Sequence, residues 1–421
     1  MPKELIEKAK KLGITIPSIS TEEIDEKIKP VLRKMEKNGI RLDCDALKKL
    51  DDKLSKRILE LEKEIFKKTG CDFNIGSPIQ MADVLFNKLK LSIDGLKRTK
   101  SGVSTAASEL AKIAHEHPVI PLVLEHREIS KLISTYLRPL PILVDENSRL
   151  HTNYGLETTT GRLTSSEPNL QNIPIKGRYG PEIRRAFVAS PGMKLIAADY
   201  SQIELRIVAC LAQDKAMIEA FRANEDIHTR TAAEIFGVKR SEVSPDQRRK
   251  AKAVNFGIIY GQTPFGLSQA LSIPTEEAAR YIREYFEAHP GIMKYINDMI
   301  QQAHESGFVE TLFGFKRYLP NIQSRMRYIA EGEERMAINT PVQGTAAEIL
   351  KLAMIKLDAK IEKFPETKML LTVHDEIVVE APIEQALEIA KVVKDVMENE
   401  VSLCVPVEVS IGIGDDWERT K

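Results

Sequence analysis

The order of hydrophobic and polar positions divides the chain into stretches of different character. From residue 21 to about 70, apolar residues recur at helical spacing among many Lys and Glu, which predicts long helices with solvated charged faces. Near residues 139–150 the pattern changes to short apolar runs with Gly, Pro and Asn, so we place a boundary there. Residues 216–330 are again helical in pattern, and residues 331–421 predict the order helix, strand, tight turn, strand, helix, strand. The chain is therefore predicted to be a mixed α and β protein with helical arms on either side of a strand-bearing core.

One candidate for chemistry lies in segment 194–212, "KLIAADYSQIELRIVACLA". The apolar run 195–198 predicts a short buried strand that ends at Asp199. Ser201 and Glu204 have the spacing of a capping box, which predicts that a helix begins there. An aspartate at a strand end suits metal binding or catalysis, but turns and caps also recruit aspartate for local hydrogen bonds. Asp199 alone leaves both interpretations open.

A second candidate lies in segment 368–382, "KMLLTVHDEIVVEAP". Two apolar runs flank "HDE", which is typical of a hairpin with Asp375 and Glu376 at its tip. Taken alone, this pattern also fits a solvated turn. Together with Asp199, however, two aspartates on one sheet can hold a pair of Mg²⁺ ions about 3.5 to 4 Å apart for phosphoryl transfer. Magnesium suits such a site because it binds one or two carboxylates and completes its shell with water and substrate phosphate.

The segment 244–261, "SPDQRRKAKAVNFGIIYG", has clear signals for both ends of a helix. Ser244 can cap it, Gln247 completes a capping box, and Gly261 can end it. Its first two turns nevertheless carry four cations, although the helix dipole is already positive at that end. These cations are Arg248, Arg249, Lys250 and Lys252.

A stripe of two cations followed by two aromatic residues runs along this predicted helix. Its members recur every four positions: Arg248, Lys252, Phe256 and Tyr260. A bound triphosphate would turn the repulsion between the cations and the dipole into a shared attraction for one anion. A base or sugar could then lie against the aromatic rings. The alternative is a solvated basic end followed by an ordinary buried half.

Composition narrows the class of protein. A length of 421 residues, 43% of them hydrophobic, predicts about two to three domains. The formal net charge is zero, which argues against a protein that coats nucleic acid through global attraction. No run of about 18 apolar residues and no charged-then-apolar leader occurs, so we expect neither a membrane span nor a secretory signal. The cysteines have no paired spacing and no histidine pattern accompanies them, so we expect a reducing compartment and no zinc site. They are Cys44, Cys71, Cys210 and Cys404.

The strings "DYSQIELR", "RRKAKAVNFGIIYG" and "VHDE", in that order, resemble the three polymerase motifs of family A DNA polymerases, the DNA polymerase I type. Further similar strings are "TTGRLTSSEPNLQNIP", "DIHTRTAAEIFG" and "RMAINTPVQGTAAEI", so the resemblance runs from about residue 21 to the C-terminus. It implies an α+β fold of the right-handed polymerase architecture, with an antiparallel palm sheet and a largely helical thumb and fingers. The implied divisions are a leader (1–20), an N-terminal palm segment and thumb (21–145), palm (146–215), fingers (216–330) and palm with the catalytic hairpin (331–421).

The resemblance also implies roles for particular residues. The implied catalytic residues are Asp199, Asp375 and Lys252, and the implied ligands of two Mg²⁺ ions are Asp199, Asp375 and Glu376. The implied nucleotide-binding residues are Arg248, Lys252, Phe256, Tyr260, His228, Gln202 and Glu204, the last helping to exclude a 2′-hydroxyl. The implied DNA-binding residues are Arg162, Asn169, Gln171, Asn172, Arg335, Asn339, Gln343 and His374.

By this resemblance the chain would add dNTPs to a primer 3′-hydroxyl on a DNA template and release pyrophosphate. We expect a monomer that does not associate with a membrane. We expect it in the cytoplasm, either associated with the nucleoid or in a phage-infected cell. We also expect no proofreading, since only about twenty residues precede the similar region. Two departures predict weaker phosphate contacts, namely Lys176, where many relatives have Arg, and the thinned basic cluster in "GFKRYLP".

Three other functions remain as alternatives. A single-subunit RNA polymerase would share the acid pair and a similar helix, but Glu204 and "NLQNIP" favour DNA. A module that only binds primer-template junctions would not need a paired metal site. A metal-dependent phosphatase or nuclease would leave the cationic and aromatic stripe unexplained. Mg²⁺-dependent primer extension separates the polymerase from the last two.

Overall fold

The computed structural model describes residues 3–100, 102–175 and 177–420, so Lys176 lies outside the described residues. The N-terminal third is mainly helical. Its helices are α1 (Lys3–Lys11), α2 (Thr21–Asn38), α3 (Cys44–Thr69), α4 (Pro78–Ala82), α5 (Ala107–Lys112) and α6 (Val119–Leu132). Its strands are β1 (Ile40–Leu42), β2 (Arg98–Thr99) and β3 (Gly102–Val103).

The ends of the two long N-terminal helices follow from local sequence. Ser20 and Glu23 form a complete capping box at the start of α2. Asp43 caps α3 by accepting a hydrogen bond from the backbone of Ala46, and Gly70 ends it in the left-handed conformation that favours glycine. The predicted long helices are therefore confirmed, with their apolar faces buried and their Lys and Glu largely in solvent.

The next segment supplies most of the short strands and the first strand of the central sheet. Its strands are β4 (Arg149–Leu150), β5 (Asn153–Gly155), β6 (Thr164–Ser166), β7 (Phe187–Val188) and β8 (Met193–Tyr200). Its helices are α7 (Gly180–Arg184) and α8 (Ile203–Ala212). The strand predicted at 195–198 is confirmed, although β8 continues past Asp199 to Tyr200.

A helical region follows, as the pattern of residues 216–330 predicts. Its helices are α9 (Lys215–Arg222), α10 (Ile227–Phe236), α11 (Pro245–Ile259), α12 (Pro264–Leu271), α13 (Thr275–Ala288) and α14 (Pro290–Ser306). It ends in a two-stranded hairpin of β9 (Phe308–Glu310) and β10 (Lys316–Tyr318).

The C-terminal region has the predicted order of helix, strand, turn, strand, helix and strand. Its helices are α15 (Arg327–Ile361) and α16 (Ala386–Asn399), and its strands are β11 (Lys368–Val373), β12 (Glu376–Pro382) and β13 (Val409–Gly414). These strands join β8 in a four-stranded sheet with the order β11-β12-β8-β13, in which every neighbouring pair is antiparallel. The predicted α+β class with an antiparallel central sheet is confirmed.

The central sheet separates two hydrophobic cores because side chains alternate between its faces. Ile196 and Ala198 of β8 belong to the core that also contains α8, α15 and α16. Leu195 and Ala197 belong to the core that includes α3 and α6. Both faces are buried, which explains why every residue of β12 is buried and why Ile377, Val378 and Val379 are apolar in succession rather than alternating with polar residues. The sheet is thus packed on both faces, and its first candidate acid, Asp199, lies near the end of β8.

A disulfide bond contradicts the interpretation that the cysteines, which have no paired spacing in the sequence, are unpaired. Cys210 of α8 and Cys404 are joined by a disulfide bond of 2.07 Å, although 194 positions separate them. Their spacing along the chain gave no sign of pairing because the contact arises only when the loop after α16 packs against α8. The premise of the expected reducing compartment is therefore wrong, while Cys44 and Cys71 are free.

Within the described ranges, no helix is both long and apolar enough to cross a membrane.

Candidate active site

The two candidate aspartates meet at one end of the central sheet. Asp375 lies in the two-residue turn between β11 and β12, so the predicted hairpin is confirmed. The backbone N–H of Tyr200 donates to the carbonyl oxygen of Asp375 at 3.2 Å, which ties the hairpin tip to the end of β8. In the ladder, Glu376 stands directly opposite Asp199, so these two side chains share one face of the sheet.

Negative charge accumulates at this end of the sheet, which we call the acidic edge (Asp199, Asp375 and Glu376). Burial, together with the nearby carboxylates of Glu204 and Asp199, raises the pKa of Asp375 to about 6, while the charge of Arg162 opposes the shift. A divalent cation would relieve this repulsion. Within the described part of the chain, no set of three or more acidic, His or Cys side chains has the arrangement of a preformed metal site. The donor set still fits Mg²⁺, which needs only one or two carboxylates from the protein.

Glu376 is held from behind by two buried residues. It is 4% exposed, and its Oε1 accepts a hydrogen bond from the indole Nε1 of Trp417. Arg184 Nη2 lies 3.5 Å from the same oxygen. Part of this carboxylate is therefore committed to the protein interior, whereas Asp199 lies at an exposed position.

Glu204 does not cap a helix, so the predicted capping box at Ser201 is wrong. The cap position of α8 is Gln202, which has a left-handed backbone with φ of 56° and makes no side-chain capping bond. Ser201 Oγ instead lies 3.1 Å from Ser410 Oγ. The reason is that β8 runs on to Tyr200, so the chain turns sharply into α8 without the extended cap residue that a capping box requires.

The buried Glu204 carboxylate instead links two other predicted site residues. One oxygen accepts from the guanidinium of Arg162 and the other accepts from the hydroxyl of Tyr260. Burial, followed by the nearby charge of Glu204, raises the pKa of Tyr260, so its hydroxyl remains a donor at neutral pH. Arg162, Glu204 and Tyr260, far apart in sequence, thus form one hydrogen-bonded cluster beside the acidic edge.

The helix α11 begins and ends as its sequence predicts. Ser244 and Gln247 form a complete capping box, Tyr260 follows the last helical residue, and Gly261 has a positive φ of 66°. In the predicted stripe, Arg248 and Lys252 are exposed, whereas Phe256 and Tyr260 are half-buried. The aromatic end lies next to the acidic edge, and Arg248 is about 18 Å further along at 1.5 Å per residue.

Two aspartates offset the cations that crowd the start of α11. Asp226 accepts from Arg248, with Nε and Nη2 at 2.8 and 2.6 Å from one carboxylate oxygen. Asp246 in the first helical turn pairs with Arg249 at 2.6 Å and with Lys250 at 3.2 Å. These exposed pairs reduce the repulsion with the helix dipole only modestly. Lys252 is exposed and forms no ion pair with the described residues.

His228 lies inside the helical region rather than on its surface. It is 1% exposed, its Nδ1 lies 3.1 Å from Asn255 Nδ2, and its ring is 5.8 Å from that of Phe256. Burial lowers its pKa to about 4 despite the opposing charge of Asp226, with smaller contributions from Lys252 and Arg248, so the imidazole is neutral at pH 7. Its Nε2 is buried without a hydrogen-bond partner among the described residues.

The predicted DNA-contacting residues lie in four places, namely α15, the turn between β11 and β12, the "NLQNIP" segment and, for Arg162, the loop before β6. Arg335, Asn339 and Gln343 recur every four positions on α15 and are partly exposed, so they form one stripe. The Oδ1 of Asn339 is buried without a hydrogen-bond partner among the described residues. His374, exposed with φ of 55°, occupies the hairpin turn beside Asp375.

The "NLQNIP" segment forms a short 3₁₀ turn at Leu170–Asn172. Asn169 caps this turn by accepting from the backbone N–H of Gln171 at 3.0 Å. The carbonyl oxygen of Asn172 accepts from the hydroxyl of Tyr136 at 2.6 Å, which fixes the segment to the helical arm. The exposed Asn172 side chain and half-buried Gln171 side chain thus stand on a rigid turn.

Sequence reasoning missed three residues that contact the predicted site. Asp226 stands two positions before His228 in "DIH", but the segment gives no sign that its carboxylate accepts from Arg248, 22 positions further along the chain. Trp417 is the one tryptophan of the chain, and its position in "GDDWERT" gives no hint of its contact with Glu376. Arg184 stands in "EIRRAF", where nothing distinguishes it from its neighbour Arg185.

The fold and this arrangement of acids, cationic helix and polar stripe on α15 define a polymerase-type domain. The structure is similar to the POL domain of Pol1 from M. smegmatis, solved in complex with DNA primer-template and dNTP, with a TM-score of 0.91 and 38% sequence identity. That similarity covers 94% of this chain and 70% of the other. The predicted polymerase architecture is thereby confirmed.

The chain belongs to DNA polymerase family A, whose sequence profile matches residues 44–419. It is 48% identical to DNA polymerase I of Deinococcus radiodurans over 87% of this chain and 38% of that protein. It is 46% identical to the thermostable DNA polymerase I of Thermus aquaticus over 87% of this chain and 44% of that protein. The chain therefore spans less than half the length of these relatives.

Proposed function

We propose that this chain is a DNA-directed DNA polymerase that adds dNTPs to a primer 3′-hydroxyl and releases pyrophosphate. The observation that carries the proposal is the meeting of Asp199 and Asp375 at the end of the central sheet, next to the aromatic end of α11. In a family A fold, this places acids suited to phosphoryl transfer beside a helix suited to a nucleotide.

Asp199 and Asp375 would hold two Mg²⁺ ions at the acidic edge, with Glu376 as a supporting acid. When bound, such ions lower the pKa of the attacking hydroxyl and neutralise charge on the leaving group. The protein's own contribution is to keep these carboxylates together on a sheet that is packed on both faces. Their positions then need no rearrangement when the reaction begins.

The cations of α11 would bind the triphosphate of the incoming nucleotide. Arg248 would exchange its contact with Asp226 for phosphate oxygens, which offer the same paired acceptors. Lys252 would act as a catalytic residue by placing its ammonium where negative charge develops on the phosphates. His228 would join them as a neutral donor through Nε2, the atom that is unpaired within the described structure.

The aromatic end of α11 would form the pocket for sugar and base. Phe256 and Tyr260 would contact the nucleoside, joined by Gln202 at the start of α8. Glu204, anchored by Arg162 and Tyr260, would exclude a 2′-hydroxyl by occupying the adjacent space. Closure of the helical region over the nucleotide would then couple selection to chemistry.

Primer-template DNA would lie along a surface formed by several polar side chains that check shape rather than sequence. These are Arg162, Asn169, Gln171, Asn172, Arg335, Asn339, Gln343 and His374. The division into an N-terminal palm segment and thumb (21–145), palm (146–215 and 331–421) and fingers (216–330) is part of this proposal. Synthesis without proofreading, a monomeric state and a cytoplasmic location stay predictions.

The proposal is tested by extension of a labelled primer on a DNA template with Mg²⁺ and either dNTPs or rNTPs. We expect products longer than the primer with dNTPs and few or none with rNTPs. Efficient rNTP addition would favour an RNA polymerase, and shortened primer without extension would favour a nuclease. Binding of the junction without any extension in Mg²⁺ or Mn²⁺ would contradict polymerase activity.

A further inference from the structure

A buried arginine and the chain's one tryptophan lie directly behind the acidic edge. Arg184 is the last residue of α7 and has no exposed surface. Its guanidinium carbon is 3.7 Å from the centre of the Trp417 ring, within the range of a cation–π contact. Trp417 is equally buried and packs edge-on against Phe187, with the ring centres 5.5 Å apart. The two side chains are therefore fixed by packing.

Both members of this pair engage the same oxygen of Glu376. Trp417 Nε1 donates to Oε1, and Arg184 Nη2 lies 3.5 Å from it. None of the three guanidinium nitrogens of Arg184 has a hydrogen-bond partner within the described structure. Arg184 therefore acts through its charge and its ring contact, with Glu418 as a more distant second carboxylate at 3.9 Å. Burying an unpaired guanidinium costs free energy of folding, and the nearby carboxylates of Glu376 and Glu418 offset that cost.

The pair limits how strongly the supporting acid Glu376 can contribute to a cation held by Asp199 and Asp375. Glu376 stands opposite Asp199 on the same face of the sheet. A freely rotating Glu376 could supply a third carboxylate to a cation held by Asp199 and Asp375. With Oε1 engaged from behind, it is partly withdrawn, and the charge of Arg184 also opposes cation binding.

We propose that Arg184 and Trp417 form a positioning pair that restrains Glu376 and keeps the acidic edge a weak site for a free divalent cation. The inference rests on the proposed function, in which the nucleotide phosphates supply the remaining metal ligands. A site that binds free cation weakly leaves those ligand positions available. The pair thus tunes affinity for the cation without touching substrate.

The test is a titration of the free protein with Mn²⁺, followed by the EPR signal of unbound Mn²⁺. Arg184→Gln removes the charge that opposes the cation and leaves Glu376 held by the Trp417 indole alone, so we expect binding roughly threefold tighter or more. Arg184→Lys keeps the cation and should remain close to wild type. The double variant Arg184→Gln/Glu376→Gln should lose the gain. Unchanged or weaker binding in Arg184→Gln, or a gain that persists in the double variant, would overturn the proposal.

A matched control separates this role from general loss of a buried arginine. Arg149 pairs with Glu380 at 3.3 Å. Glu380 lies on β12, the strand of Glu376, but away from the acidic edge. Arg149→Gln should lower stability without changing Mn²⁺ affinity, and a comparable tightening there would contradict the proposal. If Arg184→Gln fails to fold, Trp417→Phe removes the indole N–H while keeping a ring. We expect it to tighten Mn²⁺ binding in the same direction, and unchanged affinity would overturn the idea.

Trp417 also supplies an optical signal for the same site. Because the chain contains one tryptophan, its emission reports on this pair alone. We expect Mn²⁺ to quench it saturably in the wild type and not in the Asp199→Ala/Asp375→Ala variant. Quenching that persists in that variant would contradict the placement of the cation. These titrations need no turnover, so their failure is distinct from failure of the wild type to extend a primer.

Discussion

Replacing Glu348 by glutamine should change how the stability of this protein depends on pH. Glu348 lies on α15 and is 1% exposed. Its Oε1 accepts from the hydroxyls of Thr21 and Thr311, the latter at 2.9 Å, while its Oε2 has no hydrogen-bond partner within the described structure. Burial raises the pKa of this carboxyl to about 8, although the hydroxyl donors and Lys351 oppose the shift.

The sign of the effect follows from linkage between protonation and folding. The pKa of Glu348 rises from its usual 4.5 to about 8 on folding, so the folded state retains a proton that the unfolded state has lost. Its contribution to stability is therefore complete below about pH 4.5 and is lost as pH rises through about 8. At about 1.4 kcal/mol per pKa unit, the loss across this window is on the order of 3 to 5 kcal/mol.

The glutamine variant mimics the protonated acid and cannot ionise. Its carbonyl oxygen can still accept from both threonine hydroxyls. We expect the free energy of unfolding, measured by urea denaturation, to fall less between pH 5 and 8.5 than in wild type. Glu331→Gln, an exposed change on the same helix, is the control and should follow the wild-type curve. Parallel curves for wild type and Glu348→Gln would refute the reasoning.

Three further predictions concern specificity and stability. Glu204→Ala should narrow the ratio of dNTP to rNTP incorporation because it removes the carboxylate that Arg162 and Tyr260 hold beside the proposed nucleotide pocket, and an unchanged ratio would exclude the proposed role of Glu204 in rejecting a 2′-hydroxyl. Phe256→Tyr should admit dideoxynucleotides more readily, as the family resemblance suggests, and equal discrimination in chain-termination assays would show that α11 is wrongly assigned. Cys210→Ser should lower stability by about 2 to 4 kcal/mol through loss of the disulfide, measured as a lower Tm, and a variant as stable as the oxidised wild type would contradict this.

The sequence predicted the elements of the candidate site better than their contacts. The cap residues of α11 and the hairpin around Asp375 depend on neighbours within a few positions, so local patterns were sufficient. The predicted capping box at Ser201 does not form because the strand and the Glu204 contacts occupy the residues that it would need. The strand β8 continued further than its apolar run, and Glu204 found stronger partners in Arg162 and Tyr260, which the local pattern cannot contain.

Contacts between distant segments were out of reach of local reasoning. Arg184 and Trp417 meet only because the C-terminal segment returns beneath the sheet, where Trp417 N donates to Phe187 O at 2.9 Å. The Cys210 to Cys404 bond depends on the same kind of return. In each case the residue types were visible, but the geometry that gives them a role arises from packing.

The most direct measurement of the central claim separates DNA binding from chemistry at the two aspartates. Primer extension and junction affinity would be measured for wild type, Asp199→Ala, Asp375→Ala and the control Asp395→Ala, whose carboxylate lies exposed on α16 and pairs with Lys360. We predict that wild type and control extend the primer, while the two site variants bind the junction with similar affinity and do not extend it. Extension by either site variant at the wild-type rate would contradict the role of the acidic edge.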